Sequence, residues 1–465
     1  MGRYKKLLAL PLAALCGLTL SGCLINVSPA DMFSLPQLPP EYTALKEHID
    51  ALVADGAEYA APTSGTNIQP VQLVDLDGDG TEEALAFLRQ GTSEKPLKIY
   101  VFRAVGETYE QAAVIEGGGA SIYSVAYNDM DGDGCLELIV GWKISTELQV
   151  LTAYSLCDFQ PEEIIDSTTY AKYSLLDLNR DGKQELVVIR AAGDGNSAAD
   201  YYRWQEDGSL SQKPVSTARI STSVAELTQA STQSGYASGS ALRSGRLQGG
   251  IPALFVTGVE ESAIAITDIL TDRGGELVNL VQSSTTGVSS EIFPYLSLRP
   301  QDINDDKVTE VPAPFPIAST DFMDGEIRYQ INWRSYRADG TPEVVETTYH
   351  DVEDGWYLIL PDNWEDQVMV SRNDSNSEAV CVTFSVREGM GDMPRDILRI
   401  YTLTGDDRES KASRSGRIRL GRRQETVVYA AELPESGQDW SGAMNEEALH
   451  GAFKLIMTEW APGDS

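Results

Sequence analysis

The chain has 465 residues, 42% of them hydrophobic, enough to bury sizeable cores in two or three domains. Its 36 basic and 70 acidic residues give a formal net charge of −34. Such acidity excludes nucleic acid as a partner and argues against binding anionic lipid through a basic face.

At the N-terminus, Arg3, Lys5 and Lys6 precede an apolar run from Leu7 to Leu20. The run is short for a membrane span and has the length of a signal h-region. It ends in Leu20-Ser21-Gly22-Cys23, which resembles the lipobox of bacterial lipoproteins. The resemblance implies that residues 1–22 are a signal peptide and that Cys23 is acylated, anchoring the protein by lipid to the outer side of a bacterial membrane. The plainer alternative is an ordinary secretory signal with an incidental cysteine. Two acyl chains would anchor stably where one is marginal. Residues 23–40, with Pro29, Pro36, Pro39 and Pro40, read as a tether. In residues 41–67, Leu45, Ile49, Leu52 and Val53 predict a helix with an apolar stripe, followed by a lead-in.

From residue 68 the hydrophobic period becomes two. Val71–Val74, Ala84–Leu88, Leu97–Phe102 and Gln111–Ile115 predict four short strands. Between the first two lies Asp75-Leu76-Asp77-Gly78-Asp79-Gly80-Thr81-Glu82-Glu83. Carboxylates so crowded repel one another unless a cation sits among them, and Ca2+ accepts six to eight oxygen ligands in flexible geometry. The pattern returns at residues 129–137, 177–185 and 302–310, with Asn179 and Asn304 at the third position. In the last copy Lys307 replaces a glycine, and Pro312 and Pro314 are expected to spoil the exit strand. The first two intervals are each about 50 residues, and the third has room for two units. The extra unit is Arg243–Gly250 followed by Ala253–Val256, with the strand outline kept and every carboxylate lost. Five units of four strands, unable to bury their faces alone, are the signature of propeller blades or of a solenoid.

These loops and their strand flanks resemble FG-GAP/VCBS repeats, which form calcium-bearing β-propellers in integrin α-subunits and many bacterial surface proteins. The resemblance covers residues 68–350 and implies a propeller of about five blades. It also implies Ca2+ ligation by the first, third, fifth and ninth side chains and the seventh carbonyl. Carried onto this sequence, the ligands are Asp75, Asp77, Asp79, Thr81 and Glu83 in the first loop and Asp129, Asp131, Asp133, Cys135 and Glu137 in the second. The third loop supplies Asp177, Asn179, Asp181, Lys183 and Glu185, and the fourth Asp302, Asn304, Asp306, Val308 and Glu310. An EF-hand needs flanking helices and a glutamate at position twelve, where this chain has Ala86, Val140, Val188 and Ala313.

Residues 351–465 read as a separate small α+β domain. Strands are expected at residues 367–370, 379–386, 397–403, 417–420 and 425–431, and a helix from Asn445 to about Glu459. The opening segment ending in Pro361-Asp362-Asn363-Trp364 faintly resembles PsbP-type domains, which implies no function by itself. Arg408, Lys411, Arg414, Arg417, Arg419, Arg422 and Arg423 crowd into 16 positions. They read as a solvated hairpin or an edge docked on the acidic body. The sharper alternative is an anion-binding site at Arg414, Arg417, Arg419, Arg422 and Arg423 for a wall polymer or glycan.

Catalytic signals are sparse. His48, His350 and His450 form no constellation, and no Gly-x-Ser-x-Gly, phosphate loop or zinc spacing occurs. Cys135 and Cys157 can bridge in an oxidising compartment, although buried free thiols are the commoner outcome. The expectation is therefore a lipid-anchored extracytoplasmic protein that binds a glycan, a cell-wall component or a protein partner. The alternative is a surface polysaccharide hydrolase or lyase, for which two carboxylates would suffice.

Overall fold

The computed structural model describes residues 40–456, apart from 92–93, 107, 194, 233–240, 320–326, 377 and 388–391. The expected signal peptide, Cys23 and the tether up to residue 39 lie outside the described residues, as do Met457 and Glu459.

The fold is mainly β and propeller-like, with six antiparallel sheets in chain order among the described residues. The first holds strands Val71–Val74, Glu83–Arg89, Leu97–Val105 and Thr108–Gly117, with Glu58–Tyr59 on the same edge as Val71–Val74. The second holds Ser121–Asn128, Glu137–Lys143 and Gln149–Ser155, bordered by Glu162–Glu163 and Thr168–Thr169. The third is Lys172–Leu176, Glu185–Ala191, Ser197–Tyr202 and Ser216–Ile220. The fourth is Leu242–Arg246, Pro252–Val259 and Ile264–Arg273, bordered by Glu276–Asn279 and Glu291–Pro294. This is the unit that lost its carboxylates, and its strand outline is intact.

Between its ends the second strand of each of these units is mostly apolar, because both of its faces are buried there. Its residues divide by parity. Ala84, Ala86 and Leu88 pack on one side against Leu45 and Ile49 of the helix Pro40–Ala54. Leu85 and Phe87 pack on the other against Leu138 and Val140 of the second sheet. Ile139 then meets Leu186 and Val188 of the third sheet, and Val187 and Ile189 meet Leu254 and Val256 of the fourth. Ala253 and Phe255 meet Val311 and Tyr336 of the fifth. Each buried Val, Leu, Ile or Phe contributes about 1.5–3 kcal/mol, and all of it depends on the neighbouring sheet being present.

The fifth sheet departs from expectation in two ways. Val311–Ile317 is a full strand despite Pro312, Pro314 and Pro316. It lies at a sheet edge, paired on one side with Arg328–Tyr336. Prolines on alternate residues turn their missing N–H groups to the unpaired side, so the ladder loses nothing. The boundary expected at 350/351 also falls inside a strand, Pro342–Asp351. Trp356–Ile359 continues the same sheet, and Phe453–Leu455 returns from the C-terminal region to complete it. The expected helix after Asn445 is correspondingly shorter. Asn445 caps it, its Oδ1 accepting from the Ala448 amide at 2.8 Å, but the helix stops at Ala452 and Phe453 enters the sheet.

The sixth sheet comprises Val368–Asn373, Ala379–Val386, Arg395–Leu403, Val427–Glu432 and the edge strand Arg417–Arg423. It shares one core with the fifth, including Trp356, Trp364, Phe384, Ile400, Tyr429, Leu449 and Phe453. The C-terminal region thus keeps a core built almost wholly from its own residues, and Trp356–Ile359 and Phe453–Leu455 join it to the fifth sheet. Its residues build the last sheet and finish the one before. The outer face of the sixth sheet is covered by Ala412 of the short helix Arg408–Ala412. No core cluster among the described residues joins the first sheet to the sixth.

Arg372 fastens the last two sheets together. Its guanidinium, 10% exposed, pairs with Asp351, with Asp354 at 3.0 Å and with Glu353 at 3.1 Å. Burial, then the nearby Asp354, pushes the Asp351 carboxyl up to about 6, while Arg372 opposes the rise. Arg372→Met leaves buried carboxylates unpaired and should cost about 3–5 kcal/mol in urea unfolding at pH 7. The loss should shrink at pH 5, where Asp351 can take up a proton, and an unchanged midpoint would refute the fastening role.

Candidate metal centre

All four loops have one construction. Each joins the first strand of its unit to the second, except that in the fifth unit the incoming strand is reduced to a bridge between Gln301 and Glu310. Each loop folds around its own carboxylates. In the first, Asp75 accepts from the Gly80 amide at 2.9 Å, Asp77 from Asp79 at 3.2 Å and Asp79 from Thr81 at 2.7 Å. The ninth residue reaches back, Glu83 Oε2 accepting from the Leu76 amide at 3.0 Å. The second loop repeats this with Asp129 and Gly134 at 3.2 Å, Asp131 and Asp133 at 3.2 Å, Asp133 and Cys135 at 2.8 Å, and Glu137 and Met130 at 2.8 Å. In the third, Asp177, Asn179, Asp181 and Glu185 hold Gly182, Asp181, Lys183 and Leu178. In the fourth, Asp302, Asn304, Asp306 and Glu310 hold Lys307, Asp306, Val308 and Ile303.

Such winding needs left-handed backbone at the fourth and sixth positions. Glycines supply it at Gly78 and Gly80, and at Gly132 and Gly134. The third loop uses Arg180 (φ 67°) with Gly182, and the fourth uses Asp305 (φ 61°) and Lys307 (φ 70°). The last loop keeps the geometry without a glycine, at a cost of about 1–2 kcal/mol for each such residue.

One oxygen of most of these carboxylates serves the backbone, which leaves others to converge. Asp75, Asp77 and Glu83 each place an oxygen within 4.8 Å of the others, as do Asp129, Asp131 and Glu137. Asp75 Oδ1 and Glu310 Oε1 are buried without any hydrogen-bond partner. Groups so placed fit a hard dication, which would supply the missing charge and the missing bond. In the third loop the Asn179 amide fills the centre, donating to Asp181 at 2.9 Å and Glu185 at 2.7 Å, and Asn304 donates to Asp306 at 3.2 Å. To ligate a cation these amides must turn their oxygens inward. The first two loops therefore offer four candidate carboxylates, and the third and fourth offer three, with Lys183 or Lys307 in the same loop.

Glu83, Glu137 and Glu185 begin their exit strands, Glu310 directly precedes its own, and all four are 0–3% exposed. Burial, and then repulsion from the neighbouring aspartates, pushes Glu83, Glu137, Glu185 and Glu310 each up to about 7 in the metal-free protein.

The seventh positions differ in their surroundings. Cys135 is joined to Cys157 in a disulfide with 5.5 Å between Cα atoms, correcting the expectation of free thiols. The loop brings Cys135 beside the end of strand Gln149–Ser155, a closeness that a separation of 22 residues does not reveal. Lys183 lies 3.9 Å from Asp131 of the second loop and 4.8 Å from the centre of the Trp204 ring.

The basic run lies elsewhere, on the edge of the sixth sheet, and supplies its own counter-charges. Arg417 pairs with Glu432 at 3.0 Å and stacks on Tyr401. Arg419 and Arg422 share Glu409 at 2.8 and 2.6 Å, and Arg422 also reaches Glu425 at 3.1 Å. Arg414 is exposed and Arg423 half-buried. A further pair, Arg334 and Glu291 at 3.3 Å, joins the fifth sheet to the fourth, and Glu291 lines a cavity of about 10 Å³ there. Residues 291 and 334 stand far apart in sequence, and nothing in their local pattern marked them. His350 is packed against Tyr357, its ring held well below its usual range, at about 3, by burial.

The glutamates set a pH dependence. When folded and metal-free, each keeps its proton up to about pH 7, against about 4.5 when unfolded. The folded state thus binds more protons between those values, and stability falls as pH rises through them. Calorimetry of the chelated protein should give a higher melting temperature at pH 5 than at pH 7.5. A saturating dication should narrow the difference, and a metal-free melting temperature that rises with pH would contradict the arrangement.

Comparison with known families adds one match. The FG-GAP-like repeat family matches residues 75–140, which hold the first two loops and the strands between them. No curated protein matches the chain. The chain thus carries an FG-GAP-like repeat at residues 75–140.

Proposed function

We propose that this is an extracytoplasmic lipoprotein, tethered through lipid on Cys23, whose loops bind Ca2+ and whose stiffened array of sheets binds a glycan, a cell-wall component or a protein partner. The observation that carries the reading is the fourfold repetition of one carboxylate-and-amide construction, with buried oxygens at Asp75 and Glu310 left without partners. The role assigned to the cation is structural. It neutralises acids that the fold forces together and holds each turn between two strands.

The magnitude is appreciable. Extracellular calcium modules have Kd of about 10^-4–10^-3 M. At about 1 mM Ca2+, mass action gives roughly 0.4–1.4 kcal/mol per site. Four sites contribute about 2–6 kcal/mol, against a typical stability of about 5–15 kcal/mol.

Adding 1 mM Ca2+ to the chelated protein should raise its melting temperature by several degrees, and identical melts in Ca2+ and EDTA would end the calcium reading. The binding role is tested separately, by screening residues 23–465 on a glycan array with and without Ca2+. Retention of defined glycans that weakens on chelation is expected. Turnover of an arrayed polysaccharide would instead place the protein among hydrolases or lyases.

A further inference from the structure

Loops one to three are not separate. The Leu136 amide of the second loop donates to the Leu76 carbonyl of the first at 2.8 Å, and the Gln184 amide of the third donates to the Met130 carbonyl of the second at 2.6 Å. In both cases the eighth residue of one loop bonds to the second residue of the loop before. The second residue's own amide is the one held by the ninth-position glutamate. A line therefore runs from Glu83 through Leu76 to Leu136, beside Glu137, then through Met130 to Gln184, beside Glu185, which in turn holds Leu178. Backbone contact reinforces it: a Cβ added to Gly78 would lie 2.4 Å from the Gly134 carbonyl oxygen. Lys183 of the third loop also reaches Asp131 of the second at 3.9 Å. The fourth loop stands outside this line. Its Thr309 amide bonds to Arg246, in the unit that has no carboxylates.

We infer that the first three loops bind their cations as one cooperative row, while the fourth binds independently; this rests on the calcium reading above. A cation that fixes Glu137 also fixes the Met130 peptide group, and so the point at which the third loop docks. The second cation then finds a loop already ordered, which is positive coupling through shared peptide groups. Repulsion between neighbouring cations opposes this. Salt screens that repulsion over about 8 Å at physiological ionic strength, so cooperativity should increase with added salt.

The molecule contains a reporter of the third loop. Trp204 donates its indole N–H to the Gln184 carbonyl at 2.9 Å, and Lys183 lies over its ring. Residues 23–465 would be titrated with Ca2+ alone by calorimetry and tryptophan fluorescence, with Trp204→Phe identifying the signal from the third loop. The wild type should show a Hill coefficient above 1 that rises with added NaCl. Glu137→Gln should move the Trp204 midpoint to Ca2+ concentrations about fivefold higher or more, whereas Glu310→Gln should not move it. Should Glu137→Gln fail to fold, Asp77→Asn serves. It reproduces in the first loop the residue type of Asn179 and Asn304, touches nothing near Trp204, and should shift the midpoint in the same direction. Calcium heat with a Hill coefficient of 1 and an unmoved Trp204 midpoint would overturn the coupling and leave the calcium reading standing. Absence of any calcium heat would overturn both.

Discussion

Every sheet in this protein borrows its core from its neighbours. Alternate side chains of each blade's second strand point to opposite sides, and both sides are dry. A single sheet of this kind has no polar face to offer to water, so it cannot persist alone. That constraint explains the order of the array. Successive sheets must stack directly, and the outermost faces must be closed by something else. The helix Pro40–Ala54 closes one and the helix Arg408–Ala412 closes the other.

Stacking determines where the loops fall. The same hairpin of each unit ends on the same edge, so acids from consecutive units are brought side by side. The fold alone thus creates an electrostatic problem, and the ninth-position glutamate is the clearest sign of it. A carboxylate that is 0–3% exposed and beside aspartates is held well above its ordinary range. Its bond to the second-position amide secures the turn, while its second oxygen is left to the centre of the loop. The unit at Leu242–Val259 avoids the problem by a shorter turn without acids. It stacks as well as the others, with Leu254 and Phe255 fully buried. Blade packing and the cation loop are therefore separable.

Much of this was legible in the sequence, because both signals are local. Period-two strands and the Asp-x-[Asp/Asn]-x-Asp-x-x-x-Glu spacing lie within a few residues, and so the repeats, the eroded unit and the candidate ligands could be read directly. What was not legible depends on distant partners. Pro312 and Pro314 read as breakers until the strand is known to be an edge, where their spacing of two residues is harmless. Phe453 fits a helical stripe as well as a strand, and its pairing with Leu358 decides the matter. The Cys135–Cys157 bridge and the Arg372 cluster likewise join residues whose proximity is set by the stack. The basic run looked exceptional only until Glu409, Glu425 and Glu432 were found beside it.

The helix at each end has a consequence for what the molecule exposes. Leu45 and Ile49 cover the apolar outer face of the first sheet, and Ala412 covers that of the sixth. Each of these faces is thereby kept from water by a segment of the same chain.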